Sequence, residues 1–121
     1  MFTQEHLANF YGTAEYHACT PLVAGLKYTD GVKFVETNGA GWLVDKIAIL
    51  CTHEDRVRKE LRDGGFLVAK LTKKSDGSAS FVIEDGDLKA IYKETISYTD
   101  IEVDNIKFFI TDGVVMLSSE Y

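Results

Sequence analysis

The hydrophobic period of this chain changes once, near Phe66, and that change limits the fold more than any other feature. Before it, apolar residues recur every three or four positions, the spacing of a helix face. After it they alternate, the spacing of a strand with one buried face. Over 40–51, Trp42, Leu43, Ile47, Leu50 and Cys51 recur at helical spacing, and Asp45 and Lys46 fall off that stripe. A short helix is expected over 3–10, capped by Thr3, with Leu7 and Phe10 on one face. Another is expected over 28–38, with Thr29 or Asp30 as cap, although Asp30-Gly31 also has hairpin-turn chemistry. A charged helix from Glu54 to Leu61 stops at Asp63-Gly64-Gly65. Residues 11–26 have no clean period, and Pro21 and Gly25 mark an irregular loop.

The alternating half contains FLVAKLTK, ASFVIE, LKAIYKETISY, IKFFI and VVML. Lys74-Ser75-Asp76-Gly77, Asp85-Gly86-Asp87 and Asp112-Gly113 separate them with turn chemistry. About five strands in an antiparallel meander are predicted. One face, with Phe81, Ile83, Tyr92, Ile96, Phe108 and Ile110, should pack against the Trp42 helix. The expected class is α+β, a single domain over 1–121, mainly helical in 1–63 and mainly β in 64–121. A chain of 121 residues buries enough surface to need no staples.

Charge narrows the function classes. The net charge is −6, against a strongly basic nucleic-acid binder. Residues 46–74 are locally basic, with Arg56, Arg58, Lys59, Arg62, Lys73 and Lys74 among them, whereas 84–121 hold nine acids against three lysines. No apolar run reaches the ~18 residues of a membrane span, and MFTQEHLANF lacks a signal pattern, so a cytoplasmic, membrane-free protein is expected. The acidic third would suit a protein partner with a basic surface.

Catalytic motifs are scarce. His17-Ala-Cys19 and Cys51-Thr-His53 supply two thiols and two imidazoles, the donor set of tetrahedral zinc, but each pair is split by one residue rather than by the usual two to four. No cofactor is expected on balance; zinc is the alternative. The same four residues could supply a Cys–His nucleophile, although nothing in their spacing fixes the geometry it needs. Gly39-Ala-Gly41 lacks the third glycine of a dinucleotide site and reads as a close-packed helix start. Asp100, Glu102 and Asp104 alternate as a solvated turn or a carboxylate cluster. The tyrosines at 11, 16, 28, 98 and 121 fall at loops or element ends, where they cover core edges or form a contact patch.

Several blocks recur in a known order: Phe10-Tyr-Gly-Thr-Ala-Glu-Tyr-His17, Tyr28-Thr-Asp-Gly-Val-Lys33, Gly39-Ala-Gly-Trp-Leu-Val-Asp45, Tyr98-Thr-Asp100, Gly113-Val-Val-Met-Leu117 and Ser119-Glu-Tyr121. Together they resemble a family of small phage, plasmid and bacterial proteins sharing a domain of unknown function. The family pattern has proline where this chain has Ser118, which leaves the terminal turn less rigid. The resemblance implies an origin in mobile DNA and favours His17, Asp30, Trp42, Asp45 and Tyr121 as binding residues.

Three functions compete. The first is a non-enzymatic protein-binding or anti-defence (anti-CRISPR-like) accessory factor, with Asp100, Glu102 and Asp104 adding to the binding set. The second is a small metal-dependent or Cys/His hydrolase using His17, Cys19, Cys51 and His53. The third is nucleic-acid contact through the 56–74 basic segment. The uncharged strand 114–118, as the last of a meander, would need cover at its edge. A homodimer with Tyr121 near the interface would supply it, as would pairing with the 11–26 segment.

Overall fold

The computed structural model describes residues 3–10, 16–18, 26–101 and 103–121. Four α-helices precede the long strands: α1 (Gln4–Ala8), α2 (Asp30–Val35), α3 (Gly41–His53) and α4 (Asp55–Arg62). Thr3 caps α1 by accepting from His6 N, and Thr29 caps α2 by accepting from Val32 N. Asp30-Gly31 therefore opens a helix rather than turning a hairpin. Between α2 and α3 the chain kinks at 36–40, where Gly39 takes φ 107°, a conformation that needs no Cβ. Glu54 ends α3 and caps α4 by accepting from Arg56 N.

The helices lie on one sheet of seven strands: β1 (Tyr16–Ala18), β2 (Lys27–Thr29), β3 (Leu67–Lys73), β4 (Ala79–Glu84), β5 (Ala90–Ile96), β6 (Asn105–Thr111) and β7 (Val114–Leu117). The five expected strands all form, and the class is α+β. Their path differs from a meander. The spatial order is β1-β2-β7-β6-β3-β4-β5. The chain runs up β3-β4-β5, then returns to place β6 beside β3, a Greek-key arrangement. The return crosses the β3–β4 turn: Thr99 N donates to Gly77 O (2.9 Å) and Lys73 N to Asp104 O (2.7 Å). Thr99, Ile101 and Val103 are buried along it, so the exposed Asp100 and Asp104 alternate with core residues. Alternating acids made this connection look like a solvated turn alone.

Strand 114–118 is not an edge. β7 pairs antiparallel with β6 and parallel with β2, through Lys27↔Val114 and Tyr28↔Val115. This removes the edge argument for a dimer at that strand. The cover comes from β2, at 27–29, rather than from the 11–26 segment expected to supply it. Within that segment β1 forms and pairs with β2, and the rest lies outside the described residues apart from Leu26. Tyr28, expected at an element end, is buried in the core.

The core lies between the helices and the inner sheet face. Leu67, Ala69, Leu71, Phe81, Ile83, Phe108 and Ile110 are buried there against Leu43, Val44, Ile47 and Ala48 of α3. Tyr92 and Ile96 pack at its margin, as does Trp42. No described helix is long and apolar enough to cross a membrane.

Candidate functional site

α3 carries two stripes. Leu43, Val44, Ile47, Ala48 and Cys51 face the core. Trp42, Asp45, Lys46, Ile49 and Leu50, spaced by three or four along the adjacent face, line a cleft of about 330 Å³. Trp42 and Leu50 belong to this second stripe while also packing, partly buried, against the core. A second cleft of about 300 Å³ is lined by Trp42, Ile96, Tyr98, Thr99 and Asp100. Trp42 is the shared wall, and Ile49 and Tyr98 stand 51% and 71% exposed at its two sides. The structure brings Trp42, Asp45 and Asp100 together around these clefts, although 55 residues separate the two carboxylates in sequence (100 − 45).

Electrostatics at this place favour a cation. Lys46 Nζ lies 3.0 Å from both carboxylate oxygens of Glu94, on the inner face of β5. Tyr92 Oη donates to Glu94 Oε1 at 2.8 Å. The Tyr92 hydrogen bond first, then that of Lys46, hold the Glu94 carboxyl below its ordinary value, and the same Tyr92–Glu94 bond raises the phenol. Lys46 is thereby neutralised. Asp45 and Asp100 are exposed, and no partner of either is found among the described residues.

A second pair of expected residues meets at the opposite side of the sheet. His17 Nε2 lies 2.9 Å from Asp30 Oδ1, and its ring stacks on Tyr28 at 5.6 Å. Tyr28 Oη donates to Glu36 Oε1 (2.9 Å), which also receives Lys33 Nζ (3.3 Å). The family blocks around Tyr16-His17 and Tyr28-Lys33 are in contact here, tying β1 to α2.

The other expected residues are dispersed. Tyr121 is on the outer sheet face with Phe66 and Phe109, ring centroids 5.2 and 5.4 Å away. Cys51 is buried in α3 and His53 is exposed, because residues two apart on a helix point about 200° apart around its axis. Cys19 and Glu102 lie outside the described residues. Among the described residues no group of three His, Cys, Asp or Glu could hold a metal. The basic segment is divided: Arg56, Arg58, Lys59 and Arg62 are exposed on α4, whereas Lys73 Nζ donates to Ile101 O at 2.7 Å. Asp104 is exposed beside Lys73.

Sequence reasoning missed Ile49 and Ile96 as site residues, Ile96 being expected only on the packed sheet face; Tyr98 is among the tyrosines expected at core edges or a contact patch. The signal for Ile49 was the i, i+4, i+7 spacing of Trp42, Lys46 and Ile49, masked by the charges of Asp45 and Lys46.

The fold and these surfaces define a small α+β protein with a helix-covered Greek-key sheet and a tryptophan-centred acidic groove at one edge. The model of a family of unknown function (DUF6876) matches residues 1–121, and the chain belongs to that family. No curated protein and no solved structure matches it.

Proposed function

We propose that this is a non-enzymatic protein-binding factor that engages a basic partner surface through the Trp42 groove. The kind proposed is an accessory or anti-defence (anti-CRISPR-like) factor of a phage or mobile element, acting in the cytoplasm. The observation that carries the binding reading is Trp42 as the common wall of two clefts rimmed by Asp45 and Asp100, with Lys46 already neutralised. Exposed aromatic area beside carboxylates is the composition of an interface anchor. The mobile-element part rests on the resemblance of the sequence blocks. Immobilised protein is challenged with bacterial lysate at low and physiological salt, alongside Trp42→Ala and Asp45→Lys. Capture by the parent that both variants lose supports the reading. Capture that both variants retain, or none at either salt, removes it.

A second reading, nucleic-acid contact, draws on the exposed Arg56, Arg58, Lys59 and Arg62 of α4. A mobility shift with DNA or RNA at low salt, weakening steeply as salt rises, would support it. No shift at low salt disposes of it.

A further inference from the structure

We infer that the Trp42 groove and the outer edge of β5 form one site, which takes an extended, arginine-bearing segment of a partner protein as an added strand. This rests on the binding function proposed for the same groove and names the chemistry of the occupant.

The β5 edge runs seven residues, Ala90–Ile96, and is paired with β4 alone among the described residues. A long edge presents a row of unpaired N–H and C=O groups, the template for strand addition. Lys93 stands exposed at its centre. An antiparallel two-fold pairing centred on it would set Lys93 against its own copy, and like charges directly opposite are unfavourable. That disfavours a second copy of this chain as the occupant and leaves a different protein.

The side-chain chemistry is set by the inner face. Tyr92, Glu94 and Ile96 point to that face, opposite Ile83, Phe81 and Ala79 of β4. Ile96 lines the cleft it shares with Trp42, Tyr98 and Asp100, so the groove continues from the end of the strand edge. A side chain on the inner face of an added strand would reach this groove. In the cleft that Ile96 lines it would meet the indole wall and Asp100, while Asp45 lines the adjoining cleft across Trp42, with Lys46 committed to Glu94; neither aspartate has a partner among the described residues. A guanidinium fits that combination: its plane stacks on an indole and its donors match a carboxylate. An acidic segment would be repelled.

Trp42 is the only tryptophan in the chain, so its emission reports this site alone. The probe is a seven-residue peptide alternating valine with arginine, compared with a copy carrying glutamate for arginine. The expected result is a saturable change in Trp42 emission with the arginine peptide and none with the glutamate copy. Asp45→Asn with Asp100→Asn should weaken binding at least tenfold. Asp112→Asn should leave it unchanged; that residue turns β6 into β7 beside β2, on the far side of the sheet from β5. Amide exchange in 90–96 should slow on binding. An emission change without slower exchange there overturns strand addition, and equal weakening by Asp112→Asn overturns the groove as the cation's site. No emission change at millimolar peptide overturns the inference as a whole. The lysate capture above decides separately whether the groove binds protein at all.

Discussion

Gly31 and Glu120 approach so closely that only a hydrogen fits at the glycine Cα. Glu120 accepts from Gly31 N (3.1 Å), Leu117 N (3.0 Å) and Thr29 Oγ1 (2.6 Å), and so ties the last turn of the chain to the start of α2. A Cβ at position 31 would overlap Glu120 Oε1 and lie 2.7 Å from Leu117 Cδ1. Alanine ordinarily favours a helix over glycine by about 1 kcal/mol. Here overlap in a packed site, worth about 1–3 kcal/mol, should reverse the sign. Gly31→Ala is expected to lower stability in urea unfolding, and to lower it less in a Glu120→Ala background. Equal costs in both backgrounds would show that the contact does not matter.

Glu120→Ala alone strands two backbone donors and the Thr29 hydroxyl. A part-buried donor left unsatisfied costs about 1–3 kcal/mol. The variant should unfold at lower denaturant with an unchanged slope, whereas Glu120→Gln, which keeps an acceptor oxygen, should fall between it and the parent.

The Tyr92–Glu94–Lys46 chain predicts an acid-dependent contribution. The folded-state value of Glu94 is depressed below 4.5, mainly by the Tyr92 hydrogen bond and then by Lys46. A depressed carboxylate stabilises the fold above its unfolded value and loses that contribution as pH falls through its folded value. Glu94→Gln should therefore cost stability at neutral pH, by less than about 1 kcal/mol because the pair is partly exposed to solvent screening. The gap between parent and variant should close below pH 4.5. Urea unfolding on both sides of that pH measures it, and a gap constant with pH would contradict the linkage.

Much of the fold was legible because local chemistry and tertiary packing agree. Thr3, Thr29 and Asp63-Gly64 mark helix ends where the structure has them. Asp112 and Gly113 both take positive φ, as their hairpin turn requires. Strand order was not legible. Alternation locates β6 and β7 but does not say which flank of β3 receives them, and that is decided by burial of Thr99, Ile101 and Val103 in the return. The groove was half legible. Trp42 and Asp45 stood out through the resemblance and Asp100 through its alternating carboxylates, whereas Ile49 and Ile96 read as ordinary apolar residues and join the clefts only in the folded chain.

Metal removal separates the hydrolase alternative from the binding function. Cys51 is buried and His53 exposed, so the pair cannot present both donors to one ion without unwinding the end of α3. Purified protein should carry sub-stoichiometric zinc, and a chelator should leave its thermal midpoint unchanged. Stoichiometric zinc together with a lower midpoint after chelation would establish a structural site.

The last prediction compares two hairpins. In β3–β4, Gly77 N donates to Lys74 O and Lys74 N to Ser78 O, with Gly77 at φ 90°. In β4–β5, Leu88 N donates to Asp85 O and Asp85 N to Lys89 O, with Leu88 at φ 65°. The loops share one hydrogen-bond pattern, a tight turn closed by a residue in the left-handed region, which glycine normally fills. Gly86 sits two positions early for that role, and a leucine takes it. The left-handed region costs a residue with a Cβ about 1–2 kcal/mol, and Leu88 is 73% exposed, so little packing offsets the strain. Leu88→Gly should stabilise the protein, by less than that figure because glycine also gains freedom in the unfolded chain. Gly77→Leu should destabilise it, since φ 90° is strained for any residue with a Cβ and the ordinary contact that Cβ would make with Tyr98 Cδ2, at 3.4 Å, does little to offset the strain. Thermal unfolding of the two exchanges should move in opposite directions. A loss of stability in Leu88→Gly would mean that the leucine side chain contributes more to the fold than its exposure allows.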